Sequence, residues 1–175
     1  MPELRNVNPQ KRAEELLKRL GIHSNPTPVE KIAKSLGAVV RFSPLDEELS
    51  GMIYIKDDVP IIGINSLHHP NRQRFTIAHE IGHLELHKTF LTASVHVDKK
   101  FPIMMRGVVA AQGTDRKEIE ANTFAAHLLI PETLLVQLME GKTFDIDDDK
   151  PLEELAKKFR VSRQMLEFRI GKLPA

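Results

Sequence analysis

Residues His79-Glu80-Ile81-Gly82-His83 combine two imidazoles and a carboxylate at a spacing that suits metal-assisted hydrolysis. On an α-helix the two histidines are offset by about 40° and about 6 Å along the axis, so both ring nitrogens can converge on one ion. Glu80 lies about 60° from His83. It is near enough to orient a water at the metal and badly placed to be a ligand, which is the division of labour a hydrolytic zinc site needs. Gly82 costs such a helix about 1 kcal/mol relative to alanine, an expense explained if another backbone approaches closely there.

Two neutral imidazoles leave a zinc ion short of one protein ligand. The extended pattern with a glycine and a third histidine at fixed distances fails, because the chain continues Leu84-Glu85-Leu86-His87-Lys88. His87 falls on the same stripe as His79 and His83, and three ligands stacked on one straight helix cannot surround an ion. It is expected to support a ligand or to pack. The better third ligand is in a second helical stretch, Asp115 to Leu129, ended by Pro131. There Glu118, Ala121, Asn122, Ala125 and Leu129 form one stripe with small side chains near the carboxylate. A carboxylate buried in such an interface must be paired or coordinate a metal, which selects Glu118. Glu120, roughly 160° away on the side of Thr123 and His127, is expected to be solvated.

The blocks Arg74-Phe75-Thr76-Ile77-Ala78-His79-Glu80-Ile81-Gly82-His83 and Glu118-Ile119-Glu120-Ala121-Asn122-Thr123-Phe124-Ala125-Ala126-His127-Leu128-Leu129-Ile130-Pro131 together resemble the ImmA/IrrE family of metallopeptidases. The likeness extends upstream through Ser50-Gly51, Gly63-Ile64-Asn65 and Arg72-Gln73-Arg74, covering residues 28–135. It implies a zincin-like fold, Zn2+ on His79, His83 and Glu118, Glu80 as general base, and a helix-turn-helix transcriptional repressor encoded nearby as substrate. The chain departs from the family pattern in a long segment between the two blocks. Residues 88–114 are expected to be a lid, an exosite or a disordered insertion.

The composition fits this class and removes rivals. A chain of 175 residues with 41% hydrophobic content can bury one core and a small appendage. A net charge of +1 exerts no general pull toward nucleic acid or membranes, and no apolar run reaches signal or transmembrane length, so a soluble cytoplasmic protein is expected. The absence of cysteine excludes disulfides, thiolate zinc sites and cysteine catalysis. There is no nucleophile elbow, phosphate loop or dinucleotide fingerprint.

The metal helix begins at Pro70, whose missing N–H costs nothing in a first turn, and no proline interrupts it before Lys88. Upstream, Pro9 to Leu20 has helical spacing with Gly21 as its stop, and Thr27-Pro28-Val29-Glu30 reads as a capping box opening a helix that ends at Gly37. Ala38 to Ser43, Met52 to Lys56 and Pro60 to Asn65 read as strands, with Asp57-Asp58 at a hairpin turn. With no alternating βαβ pattern, the fold class is α+β: a small three-stranded sheet on the metal helix, its exposed edge open to an extended peptide. Tyr54, His68, His69, Arg72 and His127 all could face an oxyanion, and the sequence does not choose among them.

Residues 1–144 form the expected metallopeptidase domain and 145–175 a tail. In the tail an acidic link, Asp145 to Asp149, precedes an amphipathic helix on Leu152, Leu155, Ala156 and Phe159. A turn at Val161-Ser162 and a second helix on Met165, Leu166 and Ile170 complete a helix-turn-helix-like pair. Its few basic residues, Arg160, Arg163, Arg169 and Lys172, offer weak phosphate binding, so packing on the core or a protein partner is favoured over nucleic acid. Two functions follow: a narrow-specificity zinc endopeptidase, or a regulatory or toxin–antitoxin-type binding module with a vestigial peptidase site. Oligomeric state is not encoded legibly.

Overall fold

The computed structural model describes residues 8–91, 96–99, 115–144 and 148–173. Of the segment 88–114 only two short pieces are described, so the expectation of a lid, exosite or insertion lies mostly outside the described residues, as does most of the acidic link.

Helix α1 (Pro9–Arg19) opens with Asn8, whose side-chain oxygen accepts from the Lys11 amide at 3.2 Å, and is followed by Gly21 at φ 62°. It buries Ala13, Leu16 and Leu17. Helix α2 (Val29–Ser35) forms where expected, but the capping box does not: the Thr27 hydroxyl donates to the Leu128 carbonyl at 3.0 Å instead. A long-range hydrogen bond that satisfies a buried group outcompetes the local one.

Strands β1 (Val39–Ser43), β2 (Leu49–Lys56) and β3 (Val59–Asn65) follow. The β2–β3 hairpin turns through Asp57 and Asp58 at φ 50° and 63°, the pair of positive values that a two-residue turn matching the strand twist requires. β1 runs parallel to β3 and β2 antiparallel to it. A fourth strand, β4 (His96–Lys99), adds to the far side of β2, giving the order β1-β3-β2-β4 among the described residues. The edge beyond β2 is therefore β4. Asn65, fully buried, fastens the exit of β3: its Nδ2 donates to the carbonyls of Asp46 and Leu49, and its Oδ1 accepts from the Leu67 amide.

Helix α3 (Pro70–Leu86) starts with His69, whose Nδ1 accepts from the Asn71 amide at 3.1 Å. It lies against the sheet so closely that a Cβ on Gly51 of β2 would sit 2.5 Å from Thr76 Cγ2, so the Gly51 position admits no side chain. Arg72 reinforces the seam, donating to Ser50 Oγ at 2.8 Å. On the other side Glu85, its side chain 8% exposed, accepts from Arg12 and Arg19, both at 3.1 Å, and ties α3 to α1.

After α4 (Lys88–Leu91), helix α5 (Asp115–Leu129) fills the centre. Phe124, Ala125, Leu128 and Leu129 are fully buried there, and each large apolar side chain so buried is worth about 1.5–3 kcal/mol relative to exposure. Helix α6 (Glu132–Met139) follows Pro131, and α7 (Lys150–Phe159) and α8 (Arg163–Ile170) form the terminal pair. The pair turns through Arg160 in the left-handed region, and Ser162 caps α8. Its apolar face, with Leu155, Phe159 and Leu166, is buried. Asn71 donates to the Val161 carbonyl at 3.2 Å and Arg169 to that of Ile130 at 3.1 Å, so this pair rests on α3 and the end of α5. No helix among the described residues is long and apolar enough to cross a membrane.

Candidate metal centre

Helices α3 and α5 meet at Gly82. A Cβ there would lie 3.1 Å from Ala121 Cα, Ala121 O and Phe124 Cδ1, so the missing side chain is what lets the two backbones approach. That approach delivers Glu118 to the two histidines. Its Oε2 is 3.3 Å from His79 Nε2 and its Oε1 3.1 Å from His83 Nε2, while the two Nε2 atoms are 3.0 Å apart. His79 and His83 are buried, and Glu118 is the most exposed of the three at 14% of its side chain. Glu80 is fully buried on the same helix.

Hydrogen bonding fixes which ring atoms carry protons. His79 Nδ1 is 2.6 Å from Asn122 Oδ1, and an amide oxygen only accepts, so Nδ1–H donates and Nε2 presents its lone pair. On the other histidine, His83 Nδ1 is 3.1 Å from His87 Nδ1, and His87 Nε2 is 2.9 Å from Glu120 Oε2. The carboxylate accepts from His87 Nε2–H, so in a neutral His87 Nδ1 accepts from His83 Nδ1–H, and His83 Nε2 also presents a lone pair. Two lone pairs and a carboxylate converging within 4.8 Å repel one another unless a cation lies among them, and the donor set suits a zinc-class divalent ion.

One expectation is corrected. Glu120 is not a free solvated charge: its side chain is 20% exposed and binds both His87 and Arg116, the latter at 2.7 Å. Partial burial raises its pKa, and the hydrogen bonds from His87 and Arg116 win and lower it. Nor does its neighbour His127 face solvent. It is 4% exposed, and burial, then the charge of Arg169, lowers its pKa to about 4.

Three of the candidate oxyanion donors are engaged elsewhere: His68 Nε2 lies 3.2 Å from the Glu47 carbonyl, His69 caps α3 and Arg72 holds Ser50. Tyr54 is half-buried on β2, in register with Ile61 of β3. Two supporting residues were not assigned roles from sequence: Asn122, visible only as a member of the small-residue stripe, and Glu120. Asn122 sits four residues after Glu118, and that spacing on one face is the signal that could have found it.

The family model described as IrrE N-terminal-like domain, a peptidase family, matches residues 33–171. The radiation response metalloprotease IrrE of Deinococcus radiodurans is 36% identical over 105 residues, which cover 58% of this chain and 28% of that protein. An uncharacterised immunity region protein 2 of Bacillus phage phi105 is 30% identical over 104 residues, covering 59% of this chain and 58% of the phage protein. Among solved structures, one titled Mycobacterium tuberculosis transcriptional regulator superposes with a TM-score of 0.64 at 16% identity, over 95% of this chain and 47% of the other, a likeness of fold. The chain thus spans between about a quarter and three-fifths of the length of these relatives. With its matched region enclosing both the histidine pair and Glu118, the chain belongs to the IrrE N-terminal-like peptidase family.

Proposed function

We propose that the protein is a zinc-dependent endopeptidase of narrow specificity that acts in the cytoplasm on a helix-turn-helix transcriptional repressor. The observation that carries the reading is the convergence of His79 Nε2, His83 Nε2 and the Glu118 carboxylate from two helices beside the buried Glu80. The metalloprotease name of the Deinococcus relative supports the activity, and the family resemblance supports the repressor.

In this reading His79, His83 and Glu118 hold the ion, and Glu80 moves the proton. A zinc ion bound there would supply Lewis acidity, which would polarise the scissile carbonyl and make water a stronger nucleophile at neutral pH. Glu80 accepts a proton from the water as its oxygen bonds to the carbonyl carbon, then gives that proton to the amine nitrogen as the C–N bond breaks. Asn122 holds the His79 ring so that Nε2 faces the site.

The test has two parts. Glu118→Ala is expected to lose most bound metal, while changes at Glu120 keep one ion per chain at stoichiometric loading. Glu80→Gln, nearly isosteric, is expected to keep fold and metal while cleavage of the product of the adjacent regulator gene falls by about two to four orders of magnitude. Near wild-type cleavage by Glu80→Gln removes the general-base role and favours the regulatory binding module.

A further inference from the structure

The two histidines of the metal centre are backed differently. Behind His79 stands the neutral amide of Asn122, at 2.6 Å. Behind His83 stands a chain of two hydrogen bonds, His83 Nδ1–H to His87 Nδ1 at 3.1 Å and His87 Nε2–H to the Glu120 carboxylate at 2.9 Å. Arg116 holds the other Glu120 oxygen at 2.7 Å. His87 cannot be a further ligand of the same ion, because it contacts the Nδ1 side of His83 while the Nε2 atoms form the cluster. It has left the helix as the C-cap of α3 at φ −128°, which turns its ring back across the end of the helix toward α5.

We infer that His87 and Glu120 are positioning residues for the metal ligand His83, passing the carboxylate's charge through the His87 imidazole to fix the His83 tautomer and strengthen its Nε2 as a donor. An imidazole whose N–H is backed by an anion is more basic than one backed by an amide, because the developing positive charge on a metal-bound ring is stabilised by the anion. His83 is therefore the stronger of the two imidazole donors. The pair also links α3 to α5, so the bond that tunes the ligand belongs to the same seam that delivers Glu118. This inference rests on the metal site proposed above.

The experiment uses full-length protein and measures zinc affinity by competition with a chromophoric chelator, together with the visible absorption of the cobalt(II) form. His87→Phe keeps the ring volume and removes both hydrogen bonds, and is expected to weaken zinc binding about 10- to 100-fold and to shift the cobalt bands. His87→Gln restores an acceptor for His83 and a donor for Glu120, and is expected to recover most of the affinity. Glu120→Gln keeps volume and loses charge, with an expected weakening of about tenfold. A role in packing alone moves stability and leaves the cobalt bands in place. If His87→Phe does not fold, Glu120→Gln on the partly exposed face of α5 decides. Wild-type affinity and an unchanged cobalt spectrum in the folded variants overturn the relay. Failure of the wild-type chain to bind zinc or cobalt overturns the metal site itself.

Discussion

Gly82→Ala sets helix propensity against helix approach, and the structure says which wins. In an isolated helix the change stabilises by about 1 kcal/mol. Here the new methyl carbon would stand 3.1 Å from Ala121 Cα, Ala121 O and Phe124 Cδ1, against about 3.5–4.0 Å for relaxed carbon contacts. Two of these atoms are helix backbone, which no rotamer change can move, so α5 must retreat by about 0.4 Å. Overpacking of this kind costs about 1–3 kcal/mol, leaving a net loss of about 0–2 kcal/mol in the metal-free protein. The sharper effect is on the site. Glu118 lies one turn before Ala121 and Asn122 immediately after it, so both travel with α5, and a retreat close to the roughly 0.5 Å tolerance of a preorganised site should weaken metal binding about tenfold. Urea unfolding of the metal-free protein and chelator competition on the loaded protein measure the two effects separately. A variant stabilised by about 1 kcal/mol with unchanged metal affinity would refute the claim that Gly82 sets the distance between the helices.

Two further outcomes are expected. His127 stays neutral in the folded protein until pH falls to about 4, whereas in the unfolded chain it protonates near its ordinary value of 6.5. Its contribution is therefore complete above pH 6.5 and is lost on going down to about 4, amounting to about 3 kcal/mol. His127→Leu should flatten that part of the stability profile of the metal-free protein, and an unchanged slope would assign the acid sensitivity elsewhere. As for specificity, under the proposed activity the residues of the metal centre would act on peptide bonds in general, so discrimination would arise outside it. That proposal expects the protein to cleave the folded product of the adjacent regulator gene and to leave unfolded casein largely intact over the same period, and comparable rates on both would contradict narrow specificity.

The elements that position the site are legible in the sequence for local reasons. Pro70 and Pro131 bracket the helices that carry the ligands, the Asp57-Asp58 pair supplies the two positive φ values of its hairpin, and the metal helix and α5 show their length through uninterrupted helix-compatible residues. What failed was a choice between local and distant partners. Thr27 has the spacing of a capping box, yet its hydroxyl serves Leu128, 101 residues away, because that carbonyl is buried and has to be satisfied. The tail is a case where the two agree: its few basic residues favour packing on the core over nucleic acid, and its buried apolar stripe and polar contacts seat it on α3 and the end of α5.

The site divides along the same line. Its candidate ligand cluster is legible because coordination demands residue types at fixed helical spacing, and spacing is what a sequence displays. The support around them depends on how two helices cross. The angle separating Glu120 from Glu118 on a helical wheel puts the two on different faces of α5, but says nothing of what stands on the Glu120 side. In the fold that side meets the end of α3, where His87 turns back, and a carboxylate that should face water becomes the anchor of a hydrogen-bond chain to His83. Periodicity identifies the face a residue occupies, whereas the partner of that face is set by the crossing of α3 and α5. That crossing is set in turn by Gly82 and Ala121, two small residues whose importance lies in the atoms they lack.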